Sequence, residues 1–130
     1  MRYLLDTSAL IDLDRKKGGL RPKIQNQVRA GEILTFGIVR VEFLRGLVNP
    51  RRREKIATLF DIMSEIPATS ALWRLATQLA WDMDRKGRPI PATDISIAAA
   101  ALSAGVRLVS PDAHFREIPG LEVLPELPLS

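Results

Sequence analysis

The sequence predicts a single α/β domain with a central, mainly parallel β-sheet flanked by α-helices. Short apolar segments alternate along the chain with longer segments of helical periodicity, and this alternation is typical of parallel strands joined by crossover helices. The chain has 130 residues, of which 46% are hydrophobic, and this is enough to bury one ordinary core. No repeat, linker or low-complexity block divides it. We therefore expect one domain over residues 1–124 and a loose tail over residues 125–130.

The first half of the chain is predicted to contain two strands and three helices. They are a strand at residues 3–5, a helix through residues 9–13, a helix at residues 20–30, a strand at residues 33–36 and a helix at residues 38–48. Thr7 or Ser8 can cap the first helix, and Gly18 helps to end it. The third helix is apolar on nearly every side, which predicts that it is buried.

The second half is predicted to contain three helices and two further strands. They are a helix from residue 50 to about 64, a brief extended segment near residue 66, helices ending near residues 87 and 105, and strands at residues 107–110 and 121–124. Pro50 suits a first helical position, Thr69 or Ser70 can cap the second helix, and Thr93 can cap the third. The two tryptophans, at positions 73 and 81, are expected to be core or oligomer contacts.

Composition excludes several classes of site. The chain has no cysteine, so disulfides, thiolate zinc sites and cysteine nucleophiles are all excluded. His114 is the only histidine, which leaves little for a histidine-rich metal site or a Ser-His-Asp triad. We expect His114 to lie in a turn without a catalytic role. Any metal must therefore be held mainly by oxygen atoms.

The charge distribution favours a polyanionic partner. The formal net charge is +4, and basic residues are concentrated at residues 15–17 and 51–53, although each run is also compatible with a solvated loop. No apolar run approaches the roughly 20 residues that a membrane-spanning helix needs. Asp6 interrupts the apolar N-terminus, which argues against a signal peptide. We expect a cytoplasmic protein without a membrane contact.

Four acidic residues stand where apolar segments begin or end. Asp6 follows the first strand, Asp94 opens the alanine-rich helix and Asp112 comes after the strand at residues 107–110, while Glu42 lies within the apolar helix at residues 38–48. In a parallel sheet, ligands bind beyond the carboxyl ends of the strands, which is where these positions converge. Carboxylates gathered so closely repel one another unless a cation intervenes. Mg²⁺ or Mn²⁺ fits, because both accept hard oxygen ligands.

Each acid also has a purely structural explanation. Asp6 can cap a helix, Asp94 can stabilise a helix N-terminus, and Asp112 after a proline is a common turn residue. Glu42 could pair with Arg45. The metal interpretation is favoured because four independent explanations would otherwise have to coincide.

The order of these residues resembles a known family. The motifs are D-T-S-A-L-I starting at Asp6, E-x-x-x-G starting at Glu42, P-A-T-D ending at Asp94 and S-P-D ending at Asp112. In this order and over nearly the whole chain they resemble the PIN domain, and more narrowly the VapC-type toxins of type II toxin–antitoxin modules.

The resemblance implies a PIN-like fold over residues 1–124 and Mg²⁺- or Mn²⁺-dependent endoribonuclease activity, with products that carry 5′-phosphate and 3′-hydroxyl ends. It assigns the metal-binding and catalytic roles to the four acids, with Asp112 the least secure ligand. Thr7, Ser8 and Ser110 become candidates for polar support of the ligands, and Gly46 would allow close packing on the Glu42 face. An RNA substrate, a cognate VapB-type antitoxin and a homodimer are the implied partners.

Three other classes of protein share part of this pattern. A haloacid-dehalogenase-like phosphatase needs a second aspartate two residues after the first, where this chain has Ser8. A receiver-type signalling domain needs paired acids near the first strand and a lysine after a late strand, and the segment from Ser110 to Asp112 does not supply that lysine. The main alternative is a noncatalytic RNA-binding or protein-interaction domain on the PIN scaffold.

Overall fold

A computed structural model describes residues 1–128 of the chain. Within this range, five strands and six α-helices follow one another, with a short 3-10 helix before the last strand. The strands are β1 (Tyr3–Leu5), β2 (Ile33–Phe36), β3 (Ser64–Ile66), β4 (Arg107–Val109) and β5 (Val123–Leu124). The helices are α1 (Thr7–Arg15), α2 (Arg21–Arg29), α3 (Gly37–Arg45), α4 (Pro50–Ile62), α5 (Ser70–Arg85), α6 (Ala92–Ala104) and the 3-10 helix (Ala113–Glu117).

The strands form one parallel sheet in the order β3-β2-β1-β4-β5. The α/β prediction with a central parallel sheet is therefore confirmed. Strand β1 lies at the centre, and its Leu4 and Leu5 are almost completely buried. Because all strands run in the same direction, their carboxyl ends lie at the same edge of the sheet. Strands β1 and β4 are neighbours, so the residues that follow them lie side by side at that edge.

Helix α6 covers the sheet with small side chains. Its four alanines from Ala98 to Ala101 are completely buried, and the helix packs against both α5 and β4. Alanine combines high helix propensity with little volume, so this helix can approach its neighbours closely. Its first turn thereby comes close to the carboxyl edge of the sheet.

The helix caps differ in part from the prediction. Thr7 and Ser8 do not cap α1, whereas Asp6 does, as its structural explanation allowed, because its carboxylate accepts a hydrogen bond from the backbone N–H of Ala9 at 2.8 Å. Pro91, rather than Thr93, occupies the cap position of α6, and the helix begins at Ala92. The fixed φ of proline, −53° here, presets the chain for entry into that helix.

The predicted burial was wrong on one helix. Helix α3 buries Val39 and Phe43 but leaves Val41 63% exposed, and Val48 beyond its end is 95% exposed. Apolar residues on nearly every side therefore do not place this helix inside the core. Trp73 and Trp81 are exposed, so the core alternative was wrong for both, and the oligomer contact stays a prediction.

The prediction for Gly46 was also wrong. Gly46 ends α3 at its C-cap, is exposed, and a β-carbon added there would meet its nearest atom, the carbonyl oxygen of Phe43, at an ordinary 3.5 Å. Close packing therefore does not require glycine at this position.

The C-terminal boundary remains a prediction, and residues 129–130 of the expected tail lie outside the described residues. Within the tail, Leu127 is buried, so this part of the segment packs on the domain and is not loose. Among residues 1–128, no helix is long and apolar enough to cross a bilayer.

Candidate metal centre

Asp6 is the buried acid of the carboxyl edge. It follows β1 directly, is 3% exposed, and receives hydrogen bonds at both carboxylate oxygens. The backbone N–H of Ala9 donates to Oδ1 at 2.8 Å, and Ser110 Oγ donates to Oδ2 at 2.6 Å. The carboxylate is thus both a helix cap and a fixed acceptor group at the centre of the edge.

Ser110 links the two central strands at this edge. It follows β4, is almost completely buried, and accepts a hydrogen bond from the backbone N–H of Asp112 at 3.1 Å while it donates to Asp6. One hydroxyl therefore holds the first acid and shapes the loop that carries the last one. The interposed Pro111 does not prevent this loop from turning back toward the site.

Glu42 reaches the same edge from α3. Its Oε1 accepts a hydrogen bond from Thr7 Oγ1 at 2.8 Å, and Thr7 is the first residue of α1, next to Asp6. Thr7 and Ser110 are thus each bonded to one of the predicted ligands. Ser8 is half-buried beside them, and no side-chain hydrogen bond of Ser8 is found within residues 1–128.

Asp94 and Asp112 come together around His114. Asp94 lies in the first turn of α6, Asp112 lies just before the 3-10 helix, and His114 lies within it. Nε2 of His114 is 3.2 Å from Oδ2 of Asp94, and Nδ1 is 3.3 Å from Oδ1 of Asp112. One potential ligand atom from each of these residues lies within 4.8 Å of the others, a spacing that could hold a metal ion.

Electrostatics joins the four acids into one group. Burial raises the pKa of Asp6, and the charges of Asp94 and Asp112 raise it further against the opposing hydrogen bonds from Ser110 and Ala9. Burial also raises the pKa of Asp94. Asp112 and Glu42 add to that rise, while His114 opposes it.

This environment fits a hard divalent cation. The converging groups are mainly carboxylate oxygens, and two of them ionise reluctantly because burial and like charges oppose a further negative charge. Mg²⁺ and Mn²⁺ favour such oxygen ligands, and their charge would relieve the repulsion. Asp94 and Asp112 present oxygen atoms close enough to share such an ion with His114, and the charges of Asp6 and Glu42 act on the same group.

The position of His114 was missed in the sequence. The sequence predicts a turn without a catalytic role for this residue, whereas its ring lies between two of the acids. The available signal was its spacing two residues after Asp112. Only the tight turn of the 3-10 helix, with Phe115 fully buried as its anchor, directs the ring back to the edge.

Comparison with known proteins identifies the fold and the family. The family model of the PIN domain matches residues 3–121. The chain belongs to the PIN domain family. PIN domains are generally nucleases and typically depend on divalent metal ions, and the acid cluster of this PIN domain is consistent with both properties. No curated protein sequence matches the chain.

Several solved structures share this PIN fold. DNA-bound VapBC from Salmonella typhimurium contains a chain with a TM-score of 0.79 and 22% identity, and the match covers 95% of this chain and 97% of that chain. VapBC-1 from nontypeable Haemophilus influenzae has a chain with a TM-score of 0.77 and 22% identity, and the match covers 95% of this chain and 97% of that chain. VapBC2 from Rickettsia felis, bound to a promoter DNA fragment, has a chain with a TM-score of 0.74 and 22% identity, and the match covers 95% of this chain and 98% of that chain. At this identity the likeness shows the fold.

Proposed function

We propose that this PIN domain is a Mg²⁺- or Mn²⁺-dependent endoribonuclease and the toxin of a VapBC-type toxin–antitoxin module. The observation that carries the proposal is the convergence of Asp6, Glu42, Asp94 and Asp112 at the carboxyl edge of the sheet. The VapBC structures with the same fold support the module assignment. We propose a cytoplasmic location for the same reason.

The side chains of the site have distinct parts in this proposal. A bound Mg²⁺ or Mn²⁺ would supply positive charge for the phosphate and an activated water nucleophile. The four carboxylates would hold the cation, with Asp6 oriented by the hydrogen bond from Ser110 and Glu42 by the hydrogen bond from Thr7. Such fixed acceptors cost little reorganisation during the reaction. Hydrolysis at the 3′-oxygen side of the phosphate leaves 5′-phosphate and 3′-hydroxyl ends.

RNA binding would rest on basic residues outside the acid cluster. Arg51, Arg52 and Arg53 are exposed at the start of α4, and Lys16 and Lys17 are exposed after α1. Such side chains bind the phosphate backbone without reading sequence. Because hydrolysis by this route does not use the 2′-hydroxyl, the preference for RNA would come from how unpaired bases and sugars fit the edge.

An apolar cavity beside the acids supports the proposal that this chain binds protein partners. It measures about 470 Å³, and its lining includes Ile38, Val41, Trp73 and Glu42. Exposed aromatic and branched side chains of this kind are typical of protein interfaces. We propose that an antitoxin segment or a second copy of the chain covers this surface.

The deciding experiment measures cleavage and its products. Purified protein is incubated with labelled single-stranded RNA in Mg²⁺, in Mn²⁺ and with EDTA, and product ends are identified by their sensitivity to phosphatase and to a 5′-phosphate-dependent exonuclease. We expect cleavage with either metal, none with EDTA, and 5′-phosphate ends. Products with 2′,3′-cyclic phosphate ends, or cleavage that persists in EDTA, would contradict the proposal.

The alternative is a noncatalytic RNA-binding or protein-interaction domain on the same scaffold. Tight RNA binding without cleavage, in every metal tested and after removal of any bound antitoxin, would favour it. The two functions differ in what the acids do, because a binding domain has no need to concentrate carboxylates against a polyanion.

A further inference from the structure

The ring of His114 lies between two carboxylates of the acid cluster. Each ring nitrogen faces a different acid, with Nε2 at 3.2 Å from Asp94 and Nδ1 at 3.3 Å from Asp112. The ring also packs against Phe115, with centroids 4.7 Å apart, and Phe115 is completely buried. The ring is therefore anchored by the core and bridges α6 and the loop after β4.

Asp112 has more need of such a contact than the other acids. Its side chain is 48% exposed, and the loop that carries it is held by its backbone N–H, which donates to Ser110 Oγ. Within residues 1–128, the side-chain nitrogen that approaches this carboxylate is Nδ1 of His114, at 3.3 Å from Oδ1. Without this contact the side chain of Asp112 would be free to rotate into solvent. Metal binding would then have to order the side chain, at a cost in conformational entropy.

We propose that His114 is a positioning residue, which holds the carboxylates of Asp94 and Asp112 at the separation where they share one cation. The inference rests on the proposed metal-dependent function. Nε2 is buried without an aligned hydrogen-bond partner, which raises direct ligation of the metal by this nitrogen as the competing role. Positioning is favoured because Mg²⁺ and Mn²⁺ prefer the oxygen atoms that both neighbouring acids already offer.

The test measures metal binding without any cleavage. Mn²⁺ affinity is determined by isothermal titration calorimetry for the wild type, His114→Ala, His114→Asn and Arg116→Ala, and the melting temperature of each metal-free chain is recorded. Arg116 is the matched control because it is an exposed cationic residue of the same 3-10 helix. The asparagine amide can replace Nδ1 as the group that faces Asp112.

We expect His114→Ala to weaken Mn²⁺ binding by roughly 10- to 100-fold, the usual effect of removing a group that orients metal ligands. His114→Asn should recover part of that loss, and Arg116→Ala should bind like the wild type. If His114→Ala does not fold, the Mn²⁺ affinity of His114→Asn is compared with that of the wild type. A weakened but measurable Mn²⁺ affinity of His114→Asn then supports the proposal.

Two results would overturn the positioning role. One is wild-type Mn²⁺ affinity in folded His114→Ala. The other is nitrogen-14 coupling from His114 in the pulsed electron paramagnetic resonance spectrum of bound Mn²⁺, which would make His114 a direct ligand. Failure of the wild type itself to bind Mn²⁺ would instead overturn the metal site of the proposed function, so the two failures are distinguishable.

Discussion

Ser110 Oγ donates a 2.6 Å hydrogen bond to Oδ2 of Asp6 across a sequence separation of 104 residues. The bond joins the ends of the adjacent parallel strands β1 and β4, and both residues are buried. It is therefore a tertiary contact that fixes the central acid of the site and the register of the carboxyl edge together.

Loss of the Ser110 hydroxyl is expected to destabilise the protein and its metal site. Ser110→Ala leaves one buried oxygen of Asp6 without its donor, which costs about 1–3 kcal/mol. Urea denaturation in EDTA measures this loss, with Ser103→Ala as the control because Ser103 is an exposed serine of α6. A Ser110→Ala variant as stable as Ser103→Ala would contradict the role of the bond.

The metal-free protein is expected to lose stability as pH rises. Burial and the charges of Asp94 and Asp112 raise the pKa of Asp6 above its ordinary value of 3.8. The folded chain then retains this proton to a higher pH than the unfolded chain. Stability consequently falls from near pH 3.8 up through the raised pKa and stays lower above it.

Asp6→Asn tests the sign of this dependence. Asparagine can still cap α1 by accepting the hydrogen bond from Ala9, but it carries no charge. In EDTA we expect its free energy of unfolding to vary less with pH than that of the wild type and to exceed it at neutral pH. Asp84→Asn, at an exposed acid of α5, should follow the wild-type curve. An Asp6→Asn curve parallel to the wild type would refute the linkage.

The hydroxyl of Thr7 is expected to support Glu42 more than it supports the fold. Thr7→Val removes the 2.8 Å hydrogen bond but keeps the shape of the side chain. We predict about a 10-fold loss of Mn²⁺ affinity, consistent with the loss of a group that orients a ligand. Thr7→Ser should restore affinity because it returns the donor. Calorimetric titration of the three proteins provides the measurement, and equal affinities would show that Glu42 needs no such support.

The exposed face of α3 is expected to matter for partners and not for folding. Val41→Glu places a charge on the apolar cavity beside Glu42, whereas Val48→Glu places one beyond the helix, at a residue that is also exposed. The free energy of unfolding of both variants should lie within about 0.5 kcal/mol of the wild-type value. Size-exclusion chromatography with light scattering, alone and after co-expression with the proposed VapB-type antitoxin, should show lost association for Val41→Glu only. Unchanged association in both variants would place the interface elsewhere.

The sequence was sufficient for the fold because its strands and helices alternate with clear periods and clear breaks. It was also sufficient to place Asp6 and Asp112 near one edge, since residues that follow parallel strands meet there. The sequence could not decide which residue caps α1, because Asp6, Thr7 and Ser8 are adjacent and all three are favourable cap residues.

Two features depended on tertiary structure. The exposure of Val41 could not be predicted from the sequence of α3, because apolar residues lie on nearly every side of that helix and their periodicity does not show which side is buried. The contact of His114 with two acids required the turn of the 3-10 helix and the approach of α6, which no local pattern encodes. These features belong to the surface and the site, where local rules are weakest.

The most direct test of the proposed function is RNA cleavage by Asp94→Asn. Asp94 faces His114 and interacts electrostatically with Asp6, Glu42 and Asp112, so its carboxylate is central to the proposed cation site. The measurement is single-turnover cleavage of labelled RNA in Mn²⁺ by the wild type, Asp94→Asn and the control Asp84→Asn, each purified free of antitoxin. We predict cleavage by the wild type and by Asp84→Asn, and at least a 100-fold slower reaction for Asp94→Asn, roughly the 2.7 kcal/mol or more expected for losing a preorganised charged group. Cleavage by folded Asp94→Asn at the wild-type rate would contradict the proposed site.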